Sequence, residues 1–119
     1  MGLTYVRLAI ANPAAPDKQK SLELLVDSGE AYSLVPRTIL EELGIRAVDR
    51  RAFTLANGDI VERDMGNALF FYQGKEAASP VIFGEDGDSH LLGTVTLETF
   101  GFVLDPFRRE LRPLPMILG

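Results

Sequence analysis

The chain has 119 residues, with 17 acidic against 12 basic side chains for a net charge of −5, one histidine and no cysteine. Length bounds it to one domain, and the acidic balance argues against a dedicated nucleic-acid binder. Without cysteine there is no disulfide scaffold, thiolate metal site or cysteine nucleophile, and the single His90 rules out a multi-histidine zinc site within one chain.

What remains is chemistry that carboxylates can perform, or none. No run approaches the roughly 18–20 apolar residues of a membrane helix. The start, Met1-Gly2-Leu3-Thr4, lacks the basic and apolar regions of a signal peptide. A cytoplasmic protein is the expectation.

In chain order, Leu3–Ile10 alternates as a strand does, and Asn12-Pro13-Ala14-Ala15-Pro16-Asp17 reads as a loop. Ser21–Val26 is a second strand, apolar where it meets Asp27, and the two predict a hairpin. Pro36–Gly44 carries the marks of a short helix: proline at its start, Ile39, Leu40 and Leu43 on one face, and Gly44 as the stop. Phe53–Ala56 and Ile60–Arg63 flank Asn57-Gly58, a strong signal for a two-residue hairpin. Ala68–Tyr72 and Pro80–Phe83 are strands about a turn at Gln73-Gly74-Lys75. Leu91-Leu92-Gly93 ends a buried strand, Thr94–Phe100 is a second helix stopped by Gly101, and Phe102–Asp105 with Glu110–Pro113 makes a closing hairpin. Many short strands and two small helices describe a mostly β, closed or partly closed barrel. The apolar ending Leu114–Gly119 either packs on that barrel or meets a partner chain.

Chemistry concentrates at Leu24-Leu25-Val26-Asp27-Ser28-Gly29. A carboxylate at the end of an apolar strand is costly unless it is hydrogen-bonded, paired or functional. The same Asp also serves, structurally, to cap a turn. The triplet alone leaves both readings open.

The larger pattern resembles the retroviral-type (retropepsin-like) aspartic proteases, single-domain relatives of the pepsins that work as homodimers. The family carries an apolar run, Asp-Thr/Ser-Gly and a short apolar strand, matched here by Leu25–Gly29 and Ser33–Pro36. Far downstream it carries two apolar residues, a glycine and a helix, matched by Leu91-Leu92-Gly93 and Thr94–Phe100. The segment Gly101–Pro106, with Leu111-Arg112-Pro113 behind it, is similar to bacterial and archaeal predicted aspartyl proteases.

The resemblance implies that residues 1–119 form one retropepsin-like domain, half of a homodimeric endopeptidase. Asp27 from each subunit would meet at the two-fold axis, share a proton and activate a water on a peptide bound as an extended strand. Ser28 would bond across the axis, Gly29 would leave room for substrate, and Leu91, Leu92 and Gly93 would back the loop. The hairpin at Asn57 and Gly58 would be the flap. No metal or cofactor is implied. Glu30 stands where the family usually carries Ala and is a candidate modulator of the dyad. Ala31 and Thr94 occupy the places of a retroviral Asp–Arg buttress.

Two other readings compete: a retropepsin-fold dimerisation or peptide-binding module without activity, and a monomeric β-barrel ligand binder. Elsewhere the residues read structurally. Glu85-Asp86-Gly87-Asp88 is a solvated turn whose spacing does not match a calcium loop, and Asp105-Pro106 starts a turn.

Overall fold

The computed structural model describes residues 2–118. Nine strands and two short helices follow in the order β1 (Tyr5–Asn12), β2 (Ala15–Val26), β3 (Ser33–Pro36), α1 (Arg37–Glu42), β4 (Asp49–Thr54), β5 (Ile60–Tyr72), β6 (Lys75–Gly84), β7 (Leu91–Leu92), α2 (Thr94–Phe100), β8 (Phe102–Asp105) and β9 (Glu110–Pro113). Seven strands form one sheet in the order β1-β2-β7-β3-β6-β5-β4, and a further pairing of β1 with β5 closes six of them into a ring. β4 lies outside the ring as the first strand of a hairpin with β5, and β8–β9 is a separate two-stranded ribbon.

Period-two patterning builds the ring. Val6, Leu8 and Ile10 of β1 face inward, and the register sets Val6 opposite Leu24 and Leu8 opposite Leu22 on β2. Phe70, Val81, Phe83, Val35 and Leu92 complete the interior from the other strands. Each such side chain contributes about 1.5–3 kcal/mol on leaving water, so a one-residue slip would turn this set out to solvent. Leu40 of α1 plugs the core, with Ile39 and Leu43 packed beside it, and Gly44 ends the helix at φ 73°. On α2, Leu97 and Phe100 face inward, and Gly101 stops that helix at φ 83°.

Three expectations change. The loop at residues 12–17 shrinks to the turn at Pro13-Ala14, because Asn12 Oδ1 accepts the Ala14 N–H and β2 already begins at Ala15. The two strands expected at 60–63 and 68–72 are one 13-residue strand, which pairs with β4 early, β6 late and β1 over Leu69–Phe71. At Asn57-Gly58 the hairpin is longer than two residues. Thr54 pairs with Ile60 and the Leu55 N–H donates to Asp59 O, leaving Ala56-Asn57-Gly58 as the tip, with Gly58 at φ 90°.

The closing hairpin holds, with Asp105 Oδ1 accepting the N–H groups of Phe107 and Arg108 to start its turn. In the terminal apolar segment Leu114 is half-buried and donates its N–H to Gly101 O, whereas Ile117 is 92% and Leu118 100% exposed. No helix among the described residues is long and apolar enough to cross a membrane.

Candidate active site

The loop that carries Asp27 is framed by a strand crossing. β7 lies between β2 and β3, pairing Leu25 with Leu91 and Val26 with Leu92 in parallel, and Leu34 with Leu91 in antiparallel fashion. The chain between the two flanking strands, residues 27–32, has to bulge outward. Its first residue is pinned, since the Asp27 N–H donates to Leu92 O at 3.1 Å. Asp27 is half-buried, while Ser28 and Gly29 are exposed. One oxygen, Oδ1, accepts the Gly29 N–H at 2.9 Å, and the Asp27 carbonyl accepts the Glu30 N–H at 3.2 Å. The turn-capping reading of the triplet is therefore real, yet it uses one carboxylate oxygen and leaves Oδ2 for another task.

Backbone groups hold the rest of the loop where a side-chain buttress is absent. The first two N–H groups of α2, orphaned by helix geometry, donate to the loop: Thr94 N to Glu30 O at 2.8 Å and Val95 N to Ala31 O at 2.9 Å. Gly93 makes that approach feasible. A Cβ there would stand 2.6 Å from Ala31 O and 2.6 Å from the Tyr32 carbonyl carbon, both main-chain atoms.

Beneath the loop runs a chain of buried hydroxyls. Ser79 Oγ donates to the Pro80 carbonyl, which can only accept, so Ser79 takes its incoming hydrogen bond from Thr96 Oγ1 at 2.8 Å. Thr96 in turn accepts from Ser33 Oγ at 2.5 Å, and Ser33 accepts the Gly93 N–H at 3.0 Å. Every member donates once and accepts once, all three side chains are buried, and no buried side-chain polar atom among the described residues lacks a partner. The arrangement ties β3, β6 and α2 to Gly93. Sequence reasoning missed Ser33, Ser79 and Thr96. A polar residue at an inward strand position was the available signal.

Beside the loop lies a groove of about 150 Å³ lined by Glu30, Leu34, Ile82 and Arg63, with Phe53 and Leu55 of the β4–β5 hairpin on its other wall. At that volume, below the roughly 300 Å³ of a small-molecule site, it suits a side chain or two. The hairpin with Asn57 and Gly58 at its tip therefore stands next to the segment that follows Asp27, and its exposed Leu55 and Ile60 present apolar surface. Arg51 on β4 reaches Tyr32 of the loop, donating to its hydroxyl at 3.1 Å and lying over its ring.

Charges around the groove are ordered. Arg63 grips Asp88 with Nε to Oδ2 at 2.8 Å and Nη2 to Oδ1 at 2.9 Å, and this guanidinium holds the Asp88 carboxyl below the usual carboxylate range. Asp88 Oδ2 also accepts the Glu85 N–H, so the acidic turn is stapled by a half-buried ion pair rather than merely solvated. Arg37 joins α1 to Asp64 and Glu85, and it is the main cause of the lowered Asp64 carboxyl.

Of the residues singled out from sequence, the fold brings Asp27, Ser28, Gly29, Glu30, Leu91, Leu92 and Gly93 together, with the Asn57-Gly58 hairpin adjacent through its Leu55 wall. His90 stays at the edge, exposed, and gives only its carbonyl to the Leu25 N–H. Among the described residues no group of three or more His, Cys, Asp or Glu is placed to hold a metal ion.

No family profile and no curated protein matches the sequence. Among solved structures, the solution structure of the simian foamy virus (mac) protease superposes with a TM-score of 0.53 at 20% identity, covering 78% of this chain and 92% of that one. At that identity the likeness speaks for architecture alone. The fold of this chain is the mostly β, retropepsin-like one.

Proposed function

We propose that residues 1–119 are one retropepsin-like aspartic protease domain, akin to the bacterial and archaeal branch that the closing segment resembles, and that it works as a cytoplasmic homodimer hydrolysing peptide bonds. The observation that carries the reading is Asp27 itself: half-buried, pinned through its backbone, one oxygen spent on the turn and the other available, beside a groove walled by a hairpin. Exposed Ser28 and Gly29 place this loop on an open face, where a second copy can bring an identical carboxylate against it.

Two carboxylates at touching distance share one proton. The ionised one takes a proton from a water held between them, and that water attacks the peptide carbonyl; the protonated one donates to the developing oxyanion. An extended substrate would lie in the groove with main-chain hydrogen bonds to loop and hairpin, and the hairpin would exclude water. The exposed apolar side chains of Met116, Ile117 and Leu118 support self-association. No metal or cofactor enters this chemistry.

Incubation with a peptide mixture between about pH 4 and 7, where such a pair titrates, tests the mechanism. Wild type is expected to cleave and Asp27→Asn to be inert; equal cleavage by both refutes it. One observation favours a second reading, a peptide-binding module without activity: Glu30 adds another acid per subunit three residues from Asp27. A pepstatin-type inhibitor separates the two, since it stabilises an assembled dyad against heat and leaves an inactive module unshifted.

A further inference from the structure

We infer that Glu30 is a specificity-determining residue that selects a lysine or arginine side chain close to the peptide bond being cleaved. The inference rests on the protease reading above for the words "being cleaved" and on the groove alone for the choice of side chain.

Both backbone polar groups of Glu30 are engaged within the loop, its N–H with Asp27 O and its carbonyl with Thr94 N, so its side chain is what is left to line the groove. The cation within that lining is turned to other acceptors. Arg63 donates from Nε and Nη2 to Asp88 and from Nη1 to the Glu62 carbonyl at 2.8 Å, and among the described residues no hydrogen bond or ion pair joins it to Glu30. Asp88 is neutralised in the same contact. No ion pair engages the Glu30 carboxylate among the described residues, and the groove carries one uncompensated negative charge.

Around that charge the walls are apolar, from Leu34, Phe53, Val61 and Ile82. A site with an acid at one point and hydrocarbon elsewhere matches a side chain with an aliphatic stem and a cationic head. A neutral apolar side chain would strip water from Glu30 without replacing it, and an acidic one would add repulsion. The chain's net charge of −5 favours the approach of cationic peptides in the same sense.

Cleavage profiling on an unbiased peptide library, read by mass spectrometry, tests this directly. Lysine or arginine is expected to be enriched at one position near the cut. A matched pair of peptides with Lys or norleucine there should differ about fivefold in kcat/KM, an ordinary size for one partly solvated charge pair. Glu30→Gln is expected to level the pair and Glu30→Lys to reverse the preference toward glutamate. A flat wild-type profile, or a basic preference unchanged in Glu30→Gln, overturns the inference.

If wild type cleaves nothing, the protease reading falls, and the groove is tested by binding instead. The same library is passed over immobilised Asp27→Asn protein and over the Asp27→Asn/Glu30→Gln double variant. Retention of Lys- and Arg-containing peptides by the first only, weakening with salt, upholds the selection; equal retention refutes it.

Discussion

Replacing Gly93 by Ala adds one methyl group at the point where β7 turns into α2, against the loop that carries Asp27. Gly93 sits at φ −90°, ψ 173°, a conformation open to any residue, so the cost is one of space rather than backbone preference. The new Cβ would lie 2.6 Å from Ala31 O, 2.6 Å from Tyr32 C and 2.7 Å from Tyr32 O. Ordinary contact begins near 3.4 Å, so main chain on one side has to retreat by about 0.8 Å. That retreat strains four hydrogen bonds at once: Thr94 to Glu30, Val95 to Ala31, Gly93 to Ser33 and Asp27 to Leu92.

Overpacking of this kind costs about 1–3 kcal/mol, and loosened buried hydrogen bonds add about 1 more. For a domain of this size the sum is a fall in Tm of about 10 °C. Gly29→Ala is the matched control. Its Cβ meets only Asp27 Oδ1 at 3.4 Å, ordinary contact, so its Tm should stay within about 3 °C of wild type. Thermal unfolding followed by circular dichroism measures both. Equal melting of Gly93→Ala and wild type would show that the crossing is not the rigid clamp described here.

Three further outcomes follow from the same contacts. Ser33→Ala strands the Gly93 N–H and breaks the hydroxyl chain at a fully buried point, and should cost about 1–3 kcal/mol in urea unfolding; a neutral effect would mean that the chain contributes no stability. Asp88 is held low by Arg63, so its stabilisation is complete above the ordinary Asp value of 3.8 and is lost as pH falls through the depressed folded value. Asp88→Asn should therefore lose about 1–2 kcal/mol at pH 7 and show a shallower decline below pH 4, a pattern read from Tm against pH. Ile117→Asp alters a side chain that is 92% exposed and should leave Tm unchanged at high dilution, while weakening self-association about tenfold or more in sedimentation equilibrium if the terminal segment lies in a dimer contact.

Local rules carried far in this chain. Gly101 and Gly44 ended their helices as glycines do, the strand periodicity of β1 and β2 set their register, and Asp105-Pro106 opened its turn. What local rules cannot encode is partnership at a distance. Asp64-Met65-Gly66-Asn67 separates the two expected strands, yet Asp64 is satisfied by Arg37 and Arg50 and Met65 is buried, so β5 runs through unbroken. The hydroxyls of Ser33, Ser79 and Thr96 stand on three separate elements and meet only once the sheet is folded. At the candidate site, the Asp27 triplet and Leu91-Leu92-Gly93 were legible as motifs. The clamp made by N–H groups of α2 was not, because main-chain donors look the same at every residue.

A clamp of this kind leaves the scaffold open to change. Glu30, Ala31 and Thr94 contribute carbonyls and amides, not side chains, to the clamp on the loop. Substitutions at these three positions can thus alter the surface of the loop while the architecture underneath keeps its shape. A surface whose chemistry is uncoupled from its support is free to acquire new preferences in single mutational steps.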